Sequence, residues 1–289
     1  MPIRCCAAFL ALVLAACSHG GGTRPPGPLR IVASTPVLAS LARAVAGPGP
    51  SIASLVPIGA SPEDYEPTPQ DIVALRDADV LVENGANLES WLDATIRNAG
   101  NPQLRIVVCT DGLPVVNGNP HLWMDTVYAQ AYVAKIRDAL VAADPAHAAD
   151  YRANTASYER QLVALTARIR TKIATIPPSR RAMIVFHDAF DYYARRFGLR
   201  LVGAIEPVAG AEPNPEHIAE IIRTARAIHV PAVFAEHEYS DKLARSLAAS
   251  LGNVKIAFLY DDSLGAAPDV QTYIGMLDVD TDTIVANLR

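Results

Sequence analysis

Thiols are nearly absent from the body of this 289-residue chain. Of its four cysteines, Cys5, Cys6 and Cys17 sit at the extreme N-terminus and only Cys109 lies further in. No disulfide can therefore brace the fold, and no thiolate cluster can hold a soft metal. Cys109 follows the apolar run Ile106-Val107-Val108 and reads as a buried strand residue rather than a ligand. Basic patches and aromatic–basic interleaving are also missing. With Lys+Arg 25 against Asp+Glu 30 and a net charge of -5, no nucleic-acid partner is expected. The mild acidity is compatible with a cation binder without singling one out. No apolar run reaches the ~20 residues that a membrane-spanning helix needs. What remains is 51% hydrophobic and 19% charged, the balance of a globular chain with room for two modest domains.

The first residues have the form of a targeting segment. Arg4 supplies a thin positive region and Phe9 to Leu14 a short apolar run. Leu14-Ala15-Ala16-Cys17 then has the small-small-Cys ending of a bacterial lipobox. The expectation is a signal peptide over 1–16, lipidation at Cys17 and a flexible Gly/Pro-rich tether over 17–28. An ordinary signal peptide that happens to end near a cysteine is the alternative. The implied address is the cell envelope, on a membrane anchor facing the periplasm or exterior.

From Leu29 onward short apolar runs alternate with amphipathic stretches, the pattern of an α/β protein with parallel sheets. Strands are expected at 29–33, 51–56, 79–82 and 105–109, with helices at 36–46, from Thr68-Pro69 and at 88–98. Between Asp144-Pro145 and Pro177-Pro178, apolar residues from Tyr151 to Ile176 recur at spacings of three and four. That predicts one helix of about 32 residues, roughly 48 Å long. The alternation then resumes, with strands at 182–186, 200–205, 232–235 and 254–259. Helices are expected at 189–197, 215–228, 240–251 and 269–288. The predicted architecture is an N-terminal α/β lobe (29–143), a long connecting helix (144–177) and a C-terminal α/β lobe (178–289). Ligands of open α/β sheets bind at the carboxyl ends of the strands, here in the cleft between the lobes.

Four loops at such strand ends carry metal-capable side chains. The first is Ser61-Pro62-Glu63-Asp64-Tyr65-Glu66-Pro67, stiffened by prolines at 57, 62, 67 and 69. The others are Asn119-Pro120-His121-Leu122-Trp123, Phe186-His187-Asp188-Ala189-Phe190 and Tyr260-Asp261-Asp262-Ser263-Leu264-Gly265. Together these motifs resemble the metal-specific group of ABC-transporter solute-binding proteins, the zinc-uptake complex component A type that delivers zinc or manganese. The resemblance covers nearly all of the chain beyond the tether. It implies that Glu63, His121, His187 and Asp262 are the metal ligands. In that family the first loop usually reads Asp-Pro-His-x-Tyr-Glu-Pro, so Ser61 and Glu63 here replace the Asp and the ligating His. Asp64 and Asp261 stand as rivals one residue away from Glu63 and Asp262. Asp188 is expected to cap the helix that follows it.

Two imidazoles and two carboxylates suit first-row divalent ions. Glutamate in place of histidine moves the set toward manganese or ferrous iron, although zinc also binds such donors strongly. The histidine-rich loop found in many zinc-specific relatives is missing. His147 and His217 fall on helices, His229 falls near a helix end, and His237 with Glu236 and Glu238 reads as an exposed polar cluster. The resemblance therefore implies a monomeric binding lipoprotein, not an enzyme, that carries one Mn2+, Zn2+ or Fe2+ to an ABC permease and its ATPase. A zinc-dependent hydrolase is the enzymatic alternative, but four protein ligands leave no open position for water. An envelope metal-storage or adhesion lipoprotein without a permease is the other.

Overall fold

The computed structural model describes residues 27–206, 214–252 and 254–289; the expected signal peptide, Cys17 and most of the expected tether lie outside the described residues. The first lobe is built on β1 (Arg30–Ala33), β2 (Ser51–Ser54), β3 (Val80–Glu83) and β4 (Arg105–Val108), all parallel and ordered β2-β1-β3-β4. Ile31 pairs with Ile52 on one side and Val80 on the other. Both faces of β3 are buried under helices, which is why Val80-Leu81-Val82 is apolar throughout instead of alternating.

Helix α1 (Pro36–Ala46) starts where the expectation put it. Thr35 accepts a hydrogen bond from the Leu38 amide at 3.2 Å, Pro36 takes the first position, and Gly47 ends the helix at φ 71°. Helix α2 (Pro69–Asp77) follows Thr68. Helix α3 (Leu92–Ala99) begins four residues later than expected. The cause is Glu89, whose buried carboxylate accepts from the Asn84 amide (2.9 Å), the Gly85 amide (3.2 Å) and Ser34 Oγ (2.5 Å), holding this stretch as a turn.

Helix α4 (Thr126–Ala143) leads into the long helix α5 (Ala148–Ala174), which has 27 residues instead of about 32. At its front, Pro145–His147 form a 3-10 turn, pinned by Asp144 Oδ2, which bonds His147 Nδ1 (2.6 Å) and the Tyr151 hydroxyl (2.8 Å). At its end, Pro177 disfavours helical backbone at the residue before it. The predicted stripe is buried from Tyr151 to Ile173. It packs against α1 and α4 of the first lobe and against α9 (Tyr273–Leu288) of the second. Asn154 Nδ2 donates to the Val45 carbonyl at one end, and Arg168 pairs with Asp278 of α9 at 2.7 Å towards the other.

The second lobe repeats the topology. Strands β5 (Ala182–His187), β6 (Arg200–Glu206), β7 (Ala232–Glu236) and β8 (Lys255–Leu259) are parallel and ordered β6-β5-β7-β8. Helices α6 (Asp191–Phe197), α7 (Pro215–Ile228) and α8 (Lys242–Ser250) connect them. One continuous core joins the inner faces of both lobes through α1, α4, α5 and α9, while a smaller cluster fills the outer face of each sheet. The carboxyl ends of both sheets supply the loops that meet in the cleft. Among the described residues, no helix is long and apolar enough to cross a membrane.

Candidate metal centre

The loop after β2 is anchored on both sides of Glu63. Ser61 Oγ accepts from the Glu63 amide, and Trp91 Nε1 donates to the Pro62 carbonyl at 2.7 Å. Tyr65 stacks edge-on against Trp91, and its hydroxyl reaches Asp71, the residue that also caps α2 through Thr68. Gly59 donates to Ser263 Oγ at 2.7 Å, tying this loop to the second lobe. Glu63 is left with its carboxylate facing inward at 14% exposure, whereas Asp64 is turned to solvent.

His121 sits at the mouth of a 3-10 turn (Leu122–Met124) that feeds into α4, capped by Asp125. Asn119 Oδ1 accepts both the His121 amide (3.0 Å) and His121 Nδ1 (2.9 Å), while its Nδ2 donates to the Asp188 carbonyl. The amide-accepting atom must be the oxygen, so Nδ1 carries the proton and Nε2 is the free lone pair. Trp123 packs on the imidazole and sends Nε1 across the cleft to the Asp261 carbonyl at 3.0 Å.

His187 ends β5. Its amide donates to Glu236 Oε1 (3.1 Å) and its Nδ1 to Glu236 Oε2 (2.6 Å), so this ring too presents Nε2 to the cleft. Glu236 ends the neighbouring strand β7. Asp262 follows β8, fully buried, with its amide bonded to Asp261 Oδ1 at 2.7 Å.

These four side chains converge. His121 Nε2 lies 3.1 Å from His187 Nε2, 3.3 Å from Asp262 Oδ1 and 3.5 Å from Glu63 Oε1; His187 Nε2 lies 3.8 Å from Asp262 Oδ2. One donor atom from each lies within 4.8 Å of all the others. Both carboxylate oxygens of Asp262 are buried without a hydrogen-bond partner, an arrangement that is costly unless a cation is supplied. Asp261 is also buried, but its side chain points to His187 Nδ1 at 3.6 Å, behind the ring and away from the four-residue cluster.

The protonation pattern fits a cation site. Burial alone would lower His187, but the charge and hydrogen bond of Glu236, helped by Asp262 and Glu63, raise it to about 10. Burial likewise opposes charge on His121 and is outweighed by Asp262 and Glu63. Burial would raise Asp262, yet the two imidazoles beside it, with His121 Nε2 3.3 Å from Oδ1, hold it below the usual carboxylate range. Two Nε2–H groups 3.1 Å apart would repel, so the two rings facing each other here favour lone pairs turned to a common cation over two protons.

The structure corrects two expectations. Asp188 does not cap α6, whose N-cap is Phe190 without a side-chain bond; its main chain instead receives Asn119. His237 is exposed and stacks on Tyr260, but Glu236 beside it is buried against His187. His147 falls, as expected, on helical backbone, at the end of the 3-10 turn that runs into α5. His217 Nε2 bonds the Ala204 carbonyl and His229 ends α7 in the left-handed conformation, so neither approaches the cluster. Glu236 was missed because its role depends on β7 lying beside β5, a pairing no local motif encodes.

Two parallel α/β lobes, a helix spanning both, and four convergent side chains on strand-end loops define a two-lobed solute-binding protein. The model of the zinc-uptake complex component A periplasmic family matches residues 31–287, and the chain belongs to that family. It is 32% identical over 294 residues to the manganese-binding lipoprotein MntA of Halalkalibacterium halodurans, covering 98% of each chain. It is 33% identical over 263 residues to the iron-binding protein YfeA of Yersinia pestis, covering 88% of this chain and 85% of that one. Among solved structures, a manganese-bound variant of a periplasmic metal binding protein from Candidatus Liberibacter asiaticus superposes with a TM-score of 0.84 at 25% identity, over 90% of this chain and 100% of that one. The periplasmic zinc binding protein TroA from Treponema pallidum shares the fold with a TM-score of 0.84, over 91% of this chain and 99% of that one.

Proposed function

We propose that this protein captures one divalent transition-metal ion, Mn2+, Zn2+ or Fe2+, outside the cytoplasm and hands it to an ABC permease driven by its ATPase. Glu63 and His121 from the first lobe and His187 and Asp262 from the second hold the ion. The observation that carries this reading is the pair of Nε2 atoms 3.1 Å apart, each with its Nδ1 proton committed to an oxygen. Such outer hydrogen bonds are the usual support of ligating histidines. The ion bridges the lobes, and four protein donors leave the site suited to carriage and release, not to turnover. Two nitrogens with carboxylate oxygens favour manganese or ferrous iron more than a three-histidine set does, while zinc remains a strong competitor.

The remaining features of the proposal concern placement. Residues 1–16 serve as a signal peptide, Cys17 carries the lipid, and 17–28 tether a monomer to the membrane surface. Residues 29–143 and 178–289 act as the two halves of the clamp, joined by 144–177. Names of relatives as lipoproteins support this address. Elemental analysis of protein purified from its native envelope tests the function: one equivalent of Mn, Fe or Zn is expected, and metal-free protein or a bound organic solute would overturn it.

A further inference from the structure

Three of the four converging side chains can be approached from outside. A cavity of about 400 Å³ opens on Glu63, His121 and His187, while Asp262 is fully buried at the closed end of the cluster. The cavity is far larger than a bare ion. An aqua ion with six waters, at about 30 Å³ per water, needs roughly 180 Å³. Its outer wall is made of neutral hydrogen-bonding groups, Asn87, Ser90, Asn117 and Asn119, and Asp188 adds a second carboxylate to that of Glu63. Among the described residues, no lysine or arginine lines it.

The wall is a built feature of the fold. Gly85, Ala86 and Asn87 run at φ 82°, 51° and 64°, and Asn117-Gly118 at 54° and 75°. Left-handed backbone is unfavourable for Ala in particular. Here the buried Glu89 carboxylate fixes the first of these turns. At Gly85 a Cβ would meet Val108 Cγ1 at 2.4 Å, so only glycine fits there.

We propose that this cavity is an outer site for a hydrated divalent cation, with Asp188 as its charged contact, from which the ion sheds water and passes to the four ligands. The inference rests on the metal-capture reading and adds to it a route and a chemical form for the cargo. An anionic chelate would meet Glu63 and Asp188 with no lysine or arginine among the described lining residues to receive it, so the cavity favours the aqua ion. Asp188 lies outside the cluster of converging donor atoms; it positions the arriving ion and acts on the rate of entry.

Stopped-flow mixing with Mn2+ tests this, read by intrinsic fluorescence, because both tryptophans lie beside ligand loops. At low ionic strength, Asp188→Asn should slow association about fivefold and Ser90→Lys about tenfold. Both deficits should shrink to within about twofold in ~1 M salt, where exposed fields are screened. Asp138→Asn removes the same charge at an exposed site elsewhere, paired with Arg137, and should match the parent. Ser90 is exposed, so its variant tests the cavity even if Asp188→Asn fails to fold. Parental association rates for both cavity variants at low salt would overturn the outer site while leaving metal capture intact. A parent protein that binds no Mn2+ in equilibrium dialysis would overturn both.

Discussion

Each lobe sets a polar residue at the end of its first strand against a buried glutamate, in the loop after β3 in one lobe and at the end of β7 in the other, and uses the pair differently. In the first lobe, Ser34 just beyond β1 donates to Glu89, which follows β3; in the second, His187 at the end of β5 donates to Glu236 at the end of β7. Glu89 is consumed by its own lobe, with two backbone amides and one hydroxyl bonded to it. Glu236 takes the Nδ1 proton and backbone amide of His187 and leaves Nε2 facing the cleft. The same strand order thus yields a closed internal knot in one lobe and a donor aimed outward in the other. The difference lies in the residue where the first strand of each lobe ends: the short Ser34 hydroxyl donates into its own lobe, whereas the imidazole of His187 has a second nitrogen across the ring to offer to the cleft.

If that comparison is right, the largest effect comes from removing the outward donors. His187→Ala and His121→Ala should each abolish most of the metal-induced stabilisation, which at metal a thousandfold above Kd amounts to about 4 kcal/mol. Thermal unfolding with and without Mn2+ measures it. His217→Ala and His229→Ala should retain the full rise, and equal behaviour of the two groups would break the assignment.

A crossed pair of substitutions sharpens the comparison further. Glu236→Gln should weaken metal binding about 10- to 100-fold, the usual consequence of losing the partner that orients a ligating histidine. Glu89→Gln should instead lower stability by about 2 kcal/mol, through loss of charge-assisted hydrogen bonds at a buried site, and change metal affinity little. Chemical denaturation and metal competition on both variants give the four numbers. Loss of affinity in Glu89→Gln without loss of stability would mean the first knot also serves the ion.

Proton competition is the next effect in size. In the apo site Glu236 holds the His187 proton up to about 10, against the opposing effect of burial. Binding must displace it, so apparent affinity should fall about tenfold per unit of pH below that value. The sign for stability is opposite in the apo protein. A raised folded pKa stabilises fully below the unfolded value of about 6.5, and that contribution is lost as pH climbs toward about 10. Metal-loaded protein should not show this loss. Titrations from pH 6 to 9, roughly spanning that window, check both signs.

The smallest effect is a shift in preference. Glu63→His makes a three-histidine set and should raise the zinc-to-manganese affinity ratio several-fold, because imidazole nitrogen favours zinc and carboxylate oxygen the harder ion. An unchanged ratio, with Glu63→Ala also binding normally, would put Glu63 outside the coordination sphere.

All eight strands of the described residues and both converging histidines were legible in the sequence, because parallel strands between helices are near-continuous apolar runs and the histidines close such runs or follow a proline. The prolines around Glu63 announced a stiff loop, and the side chain that faces inward is the one the motif pointed to, with Asp64 outside. Two kinds of feature were not legible. Helix starts shifted where a side chain just upstream built a turn, as Glu89 does before α3 and Asp144 before α5, through bonds that propensity does not record. Partners across strands also escaped, since Glu236 meets His187 only through a strand order that no spacing records. Asn119 lay within a recognised motif, but its role in fixing the His121 tautomer emerged only from its three hydrogen bonds.

The central claim is that one ion sits between two imidazole nitrogens, one from each lobe. Pulsed electron paramagnetic resonance of Mn2+-loaded protein counts directly coupled nitrogens. Two imidazole Nε2 couplings are expected, reduced to one in His121→Ala and in His187→Ala wherever residual binding allows loading. A spectrum with no directly coupled nitrogen, or one unchanged by either substitution, would contradict the account.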